Sequence, residues 1–276
     1  MRNLLFLLLL QFLFIPVGAQ DADSLTVINQ QWDKNRVKKG IVWKSTHFEQ
    51  LFGGKQAVNV IEVDLKRHLK KLKLAGLSEG MKLTSALAQE NRAVVAVNGG
   101  FFNTQIGGAV DFIKIDGVVV NVSTNNHPRA NAYFAFDEKA VHIIPRTDDN
   151  SPEMNFDNVL LSGPLLLLDN HYAALDDSKF NANKHPRTAV GLRGDTLVFI
   201  TVDGRSAMSH GVSLPELSQL MKWYGCTEAM NLDGGGSTTM YVQGQADNGV
   251  VNYPSDNKKF DHHGERAVAN IIYIQN

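Results

Sequence analysis

Residues 211–242, GVSLPELSQLMKWYGCTEAMNLDGGGSTTMYV, carry the reading that decides the fold. The stretch opens on a helix start. Ser213 stands three residues before Glu216, so each side chain can meet the other's backbone N–H, and Pro215 falls in the first turn, where a missing donor costs nothing. Leu217, Leu220, Met221 and Tyr224 follow at helical spacing, and Gly225 is placed to end the helix. Residues 229–232 and 239–243 read as short strands on either side of Asp233-Gly234-Gly235-Gly236-Ser237-Thr238. Consecutive glycines cost chain entropy, so they mark backbone that takes positive φ or that another group approaches closely. With Asp233 ahead and two hydroxyls behind, the loop offers a carboxylate, bare N–H groups and Ser237 and Thr238 in a small space. An anion or sugar-phosphate pocket could be built this way. A plain hairpin or bulge turn is the competing reading.

Outward from that stretch, the pattern is mainly one of strands. Residues 41–48 alternate, and residues 57–65 (AVNVIEVDL) and 93–97 (AVVAV) are apolar runs of strand length. Hairpins are predicted around Asp116-Gly117, around Asp137-Glu138-Lys139 and at Gly194-Asp195, where Arg193-Gly194-Asp195 is read as a tight turn and not as an adhesion motif. Asp169-Asn170 marks a further turn, and residues 267–274 form a C-terminal strand. Helices are expected at residues 24–39 and 82–91. Hairpins without regular βαβ units point to an α+β single domain, with a mixed, largely antiparallel sheet and flanking helices.

Residues 1–19 are set apart. A basic start, an apolar run over residues 4–17 and small residues at Val17-Gly18-Ala19 form a secretory signal, with cleavage expected after Ala19. The expected location is therefore secreted or periplasmic, with no stable membrane insertion after cleavage. Residues 20–56 are taken as an N-terminal helix and leading strand, and residues 57–276 as the catalytic domain. A net charge of -1 gives no support for nucleic-acid binding. Cys226 is the single cysteine, so no internal disulfide forms, and its place beside a helix end suits a buried apolar role.

Several polar or glycine clusters share one layout: each abuts an apolar strand. They are Asn98-Gly99-Gly100-Phe101-Phe102, Pro186-Arg187-Thr188, Asp203-Gly204-Arg205, the glycine run and Gly264-Glu265-Arg266. Strand ends that meet on one rim make a rigid site. The glycine run lacks the lysine of a phosphate-binding P-loop and is followed by a strand, which excludes a nucleotide loop. No Gly-x-Ser-x-Gly elbow is present. The histidines lack metal-ligand spacing, and His210, in a polar loop, is either a ligand contact or solvated.

The ordered set NGGFFN (98–103), HPRTAVGL (185–192), VDGR (202–205), residues 211–242 and GERAVANIIYI (264–274) resembles the phosphodiester glycosidase family over residues 57–275. The resemblance implies a hydrolase that cleaves the sugar C1–O bond of a sugar-1-phosphodiester, with an N-acetylglucosamine-type sugar, on a small-molecule or glycan substrate. It carries over to Asn98, Gly99, Phe102, Arg187, Asp203, Gly204, Asn231, Asp233, Gly234, Gly235, Gly236, Ser237, Thr238, Glu265 and Arg266 as pocket residues. On chemical grounds, Arg187 and Arg266 suit the phosphate, with help from glycine-run amides. Asp233 or Glu265 would act as base or nucleophile, with Asp203 a further catalytic candidate. Ser237, Thr238 and Asn98 would position oxygens. On family grounds a Ca²⁺ ion could sit near the acidic groups. A metal-dependent phosphodiesterase cutting P–O and a non-catalytic binder of envelope glycan are the alternatives.

Overall fold

The computed structural model describes residues 22–123, 128–147 and 155–276. The expected signal segment lies outside the described residues. Three sheets make up the frame. The largest has eight strands in the order Asp33–Lys38, Ile41–Leu51, Gly54–Asp64, Thr196–Val202, Arg187–Arg193, Glu228–Asn231, Leu165–Leu168 and His171–Tyr172. A second has five, in the order Val141–Pro145, Ala132–Phe136, Asn158–Ser162, Ile113–Ile115 and Val118–Asn121. A third has four, in the order Met240–Val242, Ala93–Asn98, Asn270–Gln275 and Leu72–Gly76. Neighbours within these sheets pair antiparallel throughout. The architecture is α+β, as the hairpin pattern indicates.

Strand periodicity places the core. A strand sends alternate side chains to opposite faces. Leu197 and Phe199 therefore face inward with Ile61 and Val63, and meet Phe134 and Phe136 of the second sheet and Val95, Val97, Ile272 and Ile274 of the third. This shared core is what holds the three sheets together. On the outer face of the large sheet, Val58, Val60, Val198 and Ile200 pack under Leu214, Leu217, Leu220 and Met221 of the helix Leu214–Trp223. That helix starts as its sequence dictates, with both halves of the Ser213–Glu216 capping box formed, and Gly225 follows its end at φ 92°. Leu87 and Ala88 of the helix Thr84–Glu90 cover Ala96, Ile271 and Tyr273 on the outer face of the third sheet.

Two expectations are corrected. The N-terminal helix is Ala22–Ile28 only, and residues within the expected helix form the edge strand Asp33–Lys38. Gly40, at φ 84°, turns that strand back onto Ile41–Leu51. The edge strand is almost wholly exposed, so no apolar periodicity announced it. The C-terminal run is split into Ala267–Val268, paired with Lys82–Leu83, and Asn270–Gln275 in the third sheet. Gly194 makes the predicted turn, with Arg193 bound to Glu62 at 2.8 Å and Asp195 to Lys66 at 2.6 Å. Cys226 is buried, and burial pushes its thiol up to about 12, so it stays an apolar filler.

Candidate active site

Antiparallel register brings the predicted clusters to one rim. Arg187 opens its strand opposite Val202, the last residue before Asp203, and Ala189 pairs with Asn231, the last strand residue before the glycine run. Asn98 ends its strand in the third sheet and stitches the rim together. Its Oδ1 accepts from Thr188 Oγ1 at 2.8 Å and from the Thr239 N–H at 3.1 Å, while its Nδ2 donates to the Asp233 carbonyl at 2.7 Å. The Asp233 N–H donates to the Gly99 carbonyl at 2.9 Å. Gly99 has no room for a side chain, because a Cβ there would lie 2.2 Å from Asn270 Oδ1. Asn98 and Gly99 therefore fix the run in place.

No glycine of the run has free room for a side chain, and at Gly235 and Gly236 an arginine takes that space. A Cβ on Gly234 would lie 2.8 Å from the Pro186 carbonyl and 3.7 Å from Arg187 Cδ. On Gly235 it would lie 2.9 Å from Arg205 Nη2, and on Gly236 2.5 Å from Arg266 Nη2 and 1.9 Å from Asp256 Oδ1. Gly235 is also left-handed, at φ 63°. The residues 235–237 then close a single turn of 3₁₀ helix before Met240–Val242. This turn and the Pro186 carbonyl take up the N–H groups of Gly235, Ser237 and Thr238. The run is thus a platform for the guanidinium groups of Arg205 and Arg266, with the stem of Arg187 alongside, and less a nest of free amides.

The arginines differ in how far they are committed. Arg187 is buried, and it donates from Nε to Val212 O at 3.1 Å and from Nη2 to Phe180 O at 2.6 Å and Asn183 O at 3.0 Å. Only Nη1 is left without a hydrogen bond among the described residues. Burial and the charge of Arg205 pull Arg187 down to about 10, partly offset by Asp233, so it stays charged at neutral pH. Arg266 is gripped at both ends by Asp256, with Nε–Oδ2 at 2.8 Å and Nη2–Oδ1 at 2.6 Å. Arg205 and Arg129 make no hydrogen bond or ion pair among the described residues. Arg129 lies over the Phe101 ring, 4.3 Å from its centroid.

Asp233 stands among these charges. Burial raises its pKa, while the Ser237 hydroxyl, the Gly234 N–H, Arg266 and Arg129 pull it back down. Ser237 acts on that carboxylate from close range, yet its Oγ makes no hydrogen bond of good geometry. Thr238 Oγ1, Thr239 Oγ1, Asn231 Oδ1 and Asn270 Nδ2 are buried and likewise without a partner among the described residues. Buried polar groups are ordinarily paired, so this concentration of open donors and acceptors is unusual. Asn231 spends its Nδ2 on the Gly163 carbonyl at 2.8 Å and on its neighbour Leu232.

Asp203 lies behind the run, with no exposed surface. Its Oδ1 accepts from Asn252 Nδ2 at 2.8 Å and from the Tyr253 N–H at 3.0 Å, and its Oδ2 has no partner among the described residues. Burial raises its pKa to about 7, the two hydrogen bonds opposing the shift. Asn252 ties this carboxylate to the Thr238 carbonyl at 3.0 Å.

Other predicted residues are engaged elsewhere or only border this group. Glu265 faces the helix Thr84–Glu90: Oε1 accepts from the Ser85 N–H at 3.0 Å and Oε2 from the Ser85 hydroxyl at 2.6 Å. His210 packs against the hairpin at Gly54, where a Cβ would lie 2.2 Å from its Nδ1. Phe102 is buried in the core under the third sheet and also lines a groove of about 450 Å³ with Met81, Thr104, Arg266 and Ala267. A larger hollow of about 650 Å³ lies at the opposite end of the Arg187–Arg193 strand, beside Leu192 and Gly194, and holds none of these residues. Sequence reasoning passed over Arg129, Asn252 and Asp256 and gave Arg205 no role. Arg205 alone carried a signal, in the residue after Asp203-Gly204.

A hard cation such as Ca²⁺ takes about six to eight oxygen ligands. Among the described residues no three His, Cys, Asp or Glu side chains come together to hold a metal. Arg266, Arg129 and Arg187 share the field of Asp233, and their charge works against a cation there. The acidic side chains of the rim do not make a carboxylate cage for Ca²⁺.

A family model for phosphodiester glycosidases matches residues 91–275. This chain belongs to the phosphodiester glycosidase family. Within the family, mouse N-acetylglucosamine-1-phosphodiester alpha-N-acetylglucosaminidase is 30% identical over 183 residues, 59% of this chain and 33% of the mouse protein. A prophage-derived protein of Bacillus subtilis is 44% identical over 92 residues, 33% of this chain and 13% of that protein. The chain thus spans a third or less of the length of either curated relative. The zebrafish enzyme of the same name as the mouse one, in a catalytic-domain structure auto-inhibited by its pro-peptide, superposes with a TM-score of 0.68 at 22% identity, covering 90% of this chain and 85% of that one. A hypothetical protein from Synechocystis gives 0.71 at 15% identity, covering 89% and 64%. These likenesses show that the phosphodiester glycosidase fold extends through the N-terminal strands that the family model leaves out.

Proposed function

We propose that this protein hydrolyses a sugar-1-phosphodiester at the sugar C1–O bond, with Asp233 as the reacting carboxylate. The observation that carries the reading is the group of arginines at the glycine run, with Arg205 and Arg266 against Gly235 and Gly236 and with Arg187, Arg266 and Arg129 acting on Asp233. Glycosidic cleavage passes through an oxocarbenium-like transition state, which an adjacent carboxylate stabilises or captures. The other half of the broken bond leaves as a phosphate monoester. That leaving group is already a stable anion, so it needs positive charge to receive it more than it needs a proton donor. A site rich in arginine with one central carboxylate suits this division of labour. The names of the mouse and zebrafish relatives, N-acetylglucosamine-1-phosphodiester alpha-N-acetylglucosaminidases, favour an N-acetylglucosamine-type sugar. The signal segment at residues 1–19 favours action outside the cytoplasm, on a soluble or envelope glycan.

Hydrolysis of UDP-N-acetylglucosamine or a methyl phosphodiester of N-acetylglucosamine in ¹⁸O-water tests the reading. Label in the released sugar is the expected result. Label in the phosphate would make the protein a phosphodiesterase that cuts P–O. No turnover, with the ligand still bound, would make it a binder. Asp233→Asn should lower kcat about a thousandfold, while binding inorganic phosphate at least as tightly as the wild type.

A further inference from the structure

Of the three arginines beside the glycine run, two are held by the protein itself. Arg266 is a bidentate partner of Asp256, and Arg187 spends three donors on backbone carbonyls. Arg205 is exposed, and no acidic side chain or carbonyl among the described residues pairs with it, yet its Nη2 is in van der Waals contact range of Gly235.

Its backbone is not loose. Arg205 sits at φ 61°, a left-handed conformation that costs a non-glycine residue about 1 kcal/mol or more. The loop that imposes it is pinned on both sides. Ser206 and Ser209 exchange backbone hydrogen bonds at 3.0 and 3.2 Å. Ser209 Oγ donates to the Asp203 carbonyl at 2.7 Å and accepts from the Ala57 N–H at 2.9 Å. A rigid loop thus presents a long, unpaired cationic side chain over the middle glycine.

The local field is also unbalanced. The charge of Arg205 adds to burial in pulling Arg187 down, and burial, with the charges of Arg187 and Arg205 behind it, holds His185 below the usual histidine range. Asp233 acts on Arg187, and no acidic side chain among the described residues pairs with Arg205. The Arg187 and Arg205 charges repel each other until an anion comes between them. A tetrahedral phosphate oxygen pair matches that need, because a guanidinium fork bonds such oxygens with two parallel N–H groups.

We propose that Arg205 reads the charge of the aglycone side: with the free Nη1 of Arg187 it holds the non-bridging phosphate oxygens, and so makes this site select a sugar-1-phosphate ester over a neutral glycoside of the same sugar. The assignment rests on the sugar-phosphodiester reading above. No bond to Arg205 forms or breaks; it positions the leaving phosphate and receives its charge.

The test compares wild type, Arg205→Met and Arg205→Lys on two substrates, the methyl phosphodiester of N-acetylglucosamine and its neutral nitrophenyl glycoside. Calorimetric titration with N-acetylglucosamine-1-phosphate and with inorganic phosphate runs alongside, and thermal melts confirm folding. Arg205→Met should lower the ratio of kcat/KM for diester over glycoside by about 30-fold, and weaken phosphate binding about tenfold or more, as expected for a lost hydrogen bond to a charged group. Arg205→Lys should recover part of both, since it restores charge without the fork. An equal fall on both substrates, or an unchanged phosphate affinity, overturns the assignment while leaving the glycosidase reading intact. If wild type turns over neither substrate, the glycosidase reading fails, and calorimetry still decides whether Arg205 holds phosphate. Failure of wild type to bind either phosphate ligand overturns the assignment as well.

Discussion

Asp203 shows what burial does to a single group. Its carboxyl has no exposed surface, one oxygen is bonded twice and the other has no partner among the described residues. Burial lifts its pKa from 3.8 to about 7. The unfolded carboxyl ionises first, so the folded state holds the extra proton between those values, and stability falls as pH rises through that window. Above the folded value the whole cost of the buried charge is present. Asparagine keeps one acceptor oxygen for Asn252 and Tyr253 and replaces the unpaired oxygen with a neutral group. Asp203→Asn should therefore melt with wild type near about pH 4 and about 3–10 °C above it near pH 8, as scanning calorimetry across that range would show. A difference that does not grow with pH would mean that Asp203 is not a strained acid. Burial raises Asp233 as well, but there the Ser237 hydroxyl, the Gly234 N–H and the charges of Arg266 and Arg129 oppose the shift. Two aspartates, alike in sequence as strand-end acids, are thus separated in role by what surrounds them.

At the scale of elements, the glycine run is legible as a sequence motif, and its flanking helix and strands fall where the capping box and apolar spacing put them. What each glycine faces is not legible. Arg187, Arg205 and Arg266 come from three different segments, and nothing local says which of them is free. Glu265 makes the same point. Next to Arg266 in sequence it suits a pair of catalytic groups; in space it closes the start of the Thr84–Glu90 helix through Ser85. We expect Glu265→Ala to cost about 1–3 kcal/mol in urea unfolding, the range for stranding a part-buried donor pair, and to change kcat less than threefold or so. A large loss of kcat in Glu265→Gln at unchanged stability would instead return this carboxylate to the reaction.

For the whole molecule, the rim exists because two sheets are joined at one point. Asn98 belongs to the four-stranded sheet, Thr188 to the eight-stranded one, and Asp233 and Thr239 to the loop between them. Asn98→Ala would strand three buried groups at once, so we expect a loss of about 2–5 kcal/mol by denaturant titration together with a fall in kcat, although Asn98 has no free polar atom to offer a substrate. Loss of stability without loss of kcat would show that the rim keeps its shape without this joint. The sequence by itself determined the hairpins, the capped helix, the apolar strands and the ordered motifs of the family, because each depends on neighbours a few residues apart. It missed the edge strand Asp33–Lys38, whose place depends on a partner and not on its own pattern. Only the tertiary structure decided which acids and arginines are spent on the protein and which are left for a ligand. Hydrogen bonds and burial set that division, and they join residues such as Asp203 to Asn252 and Ser85 to Glu265, whose meeting no local pattern encodes.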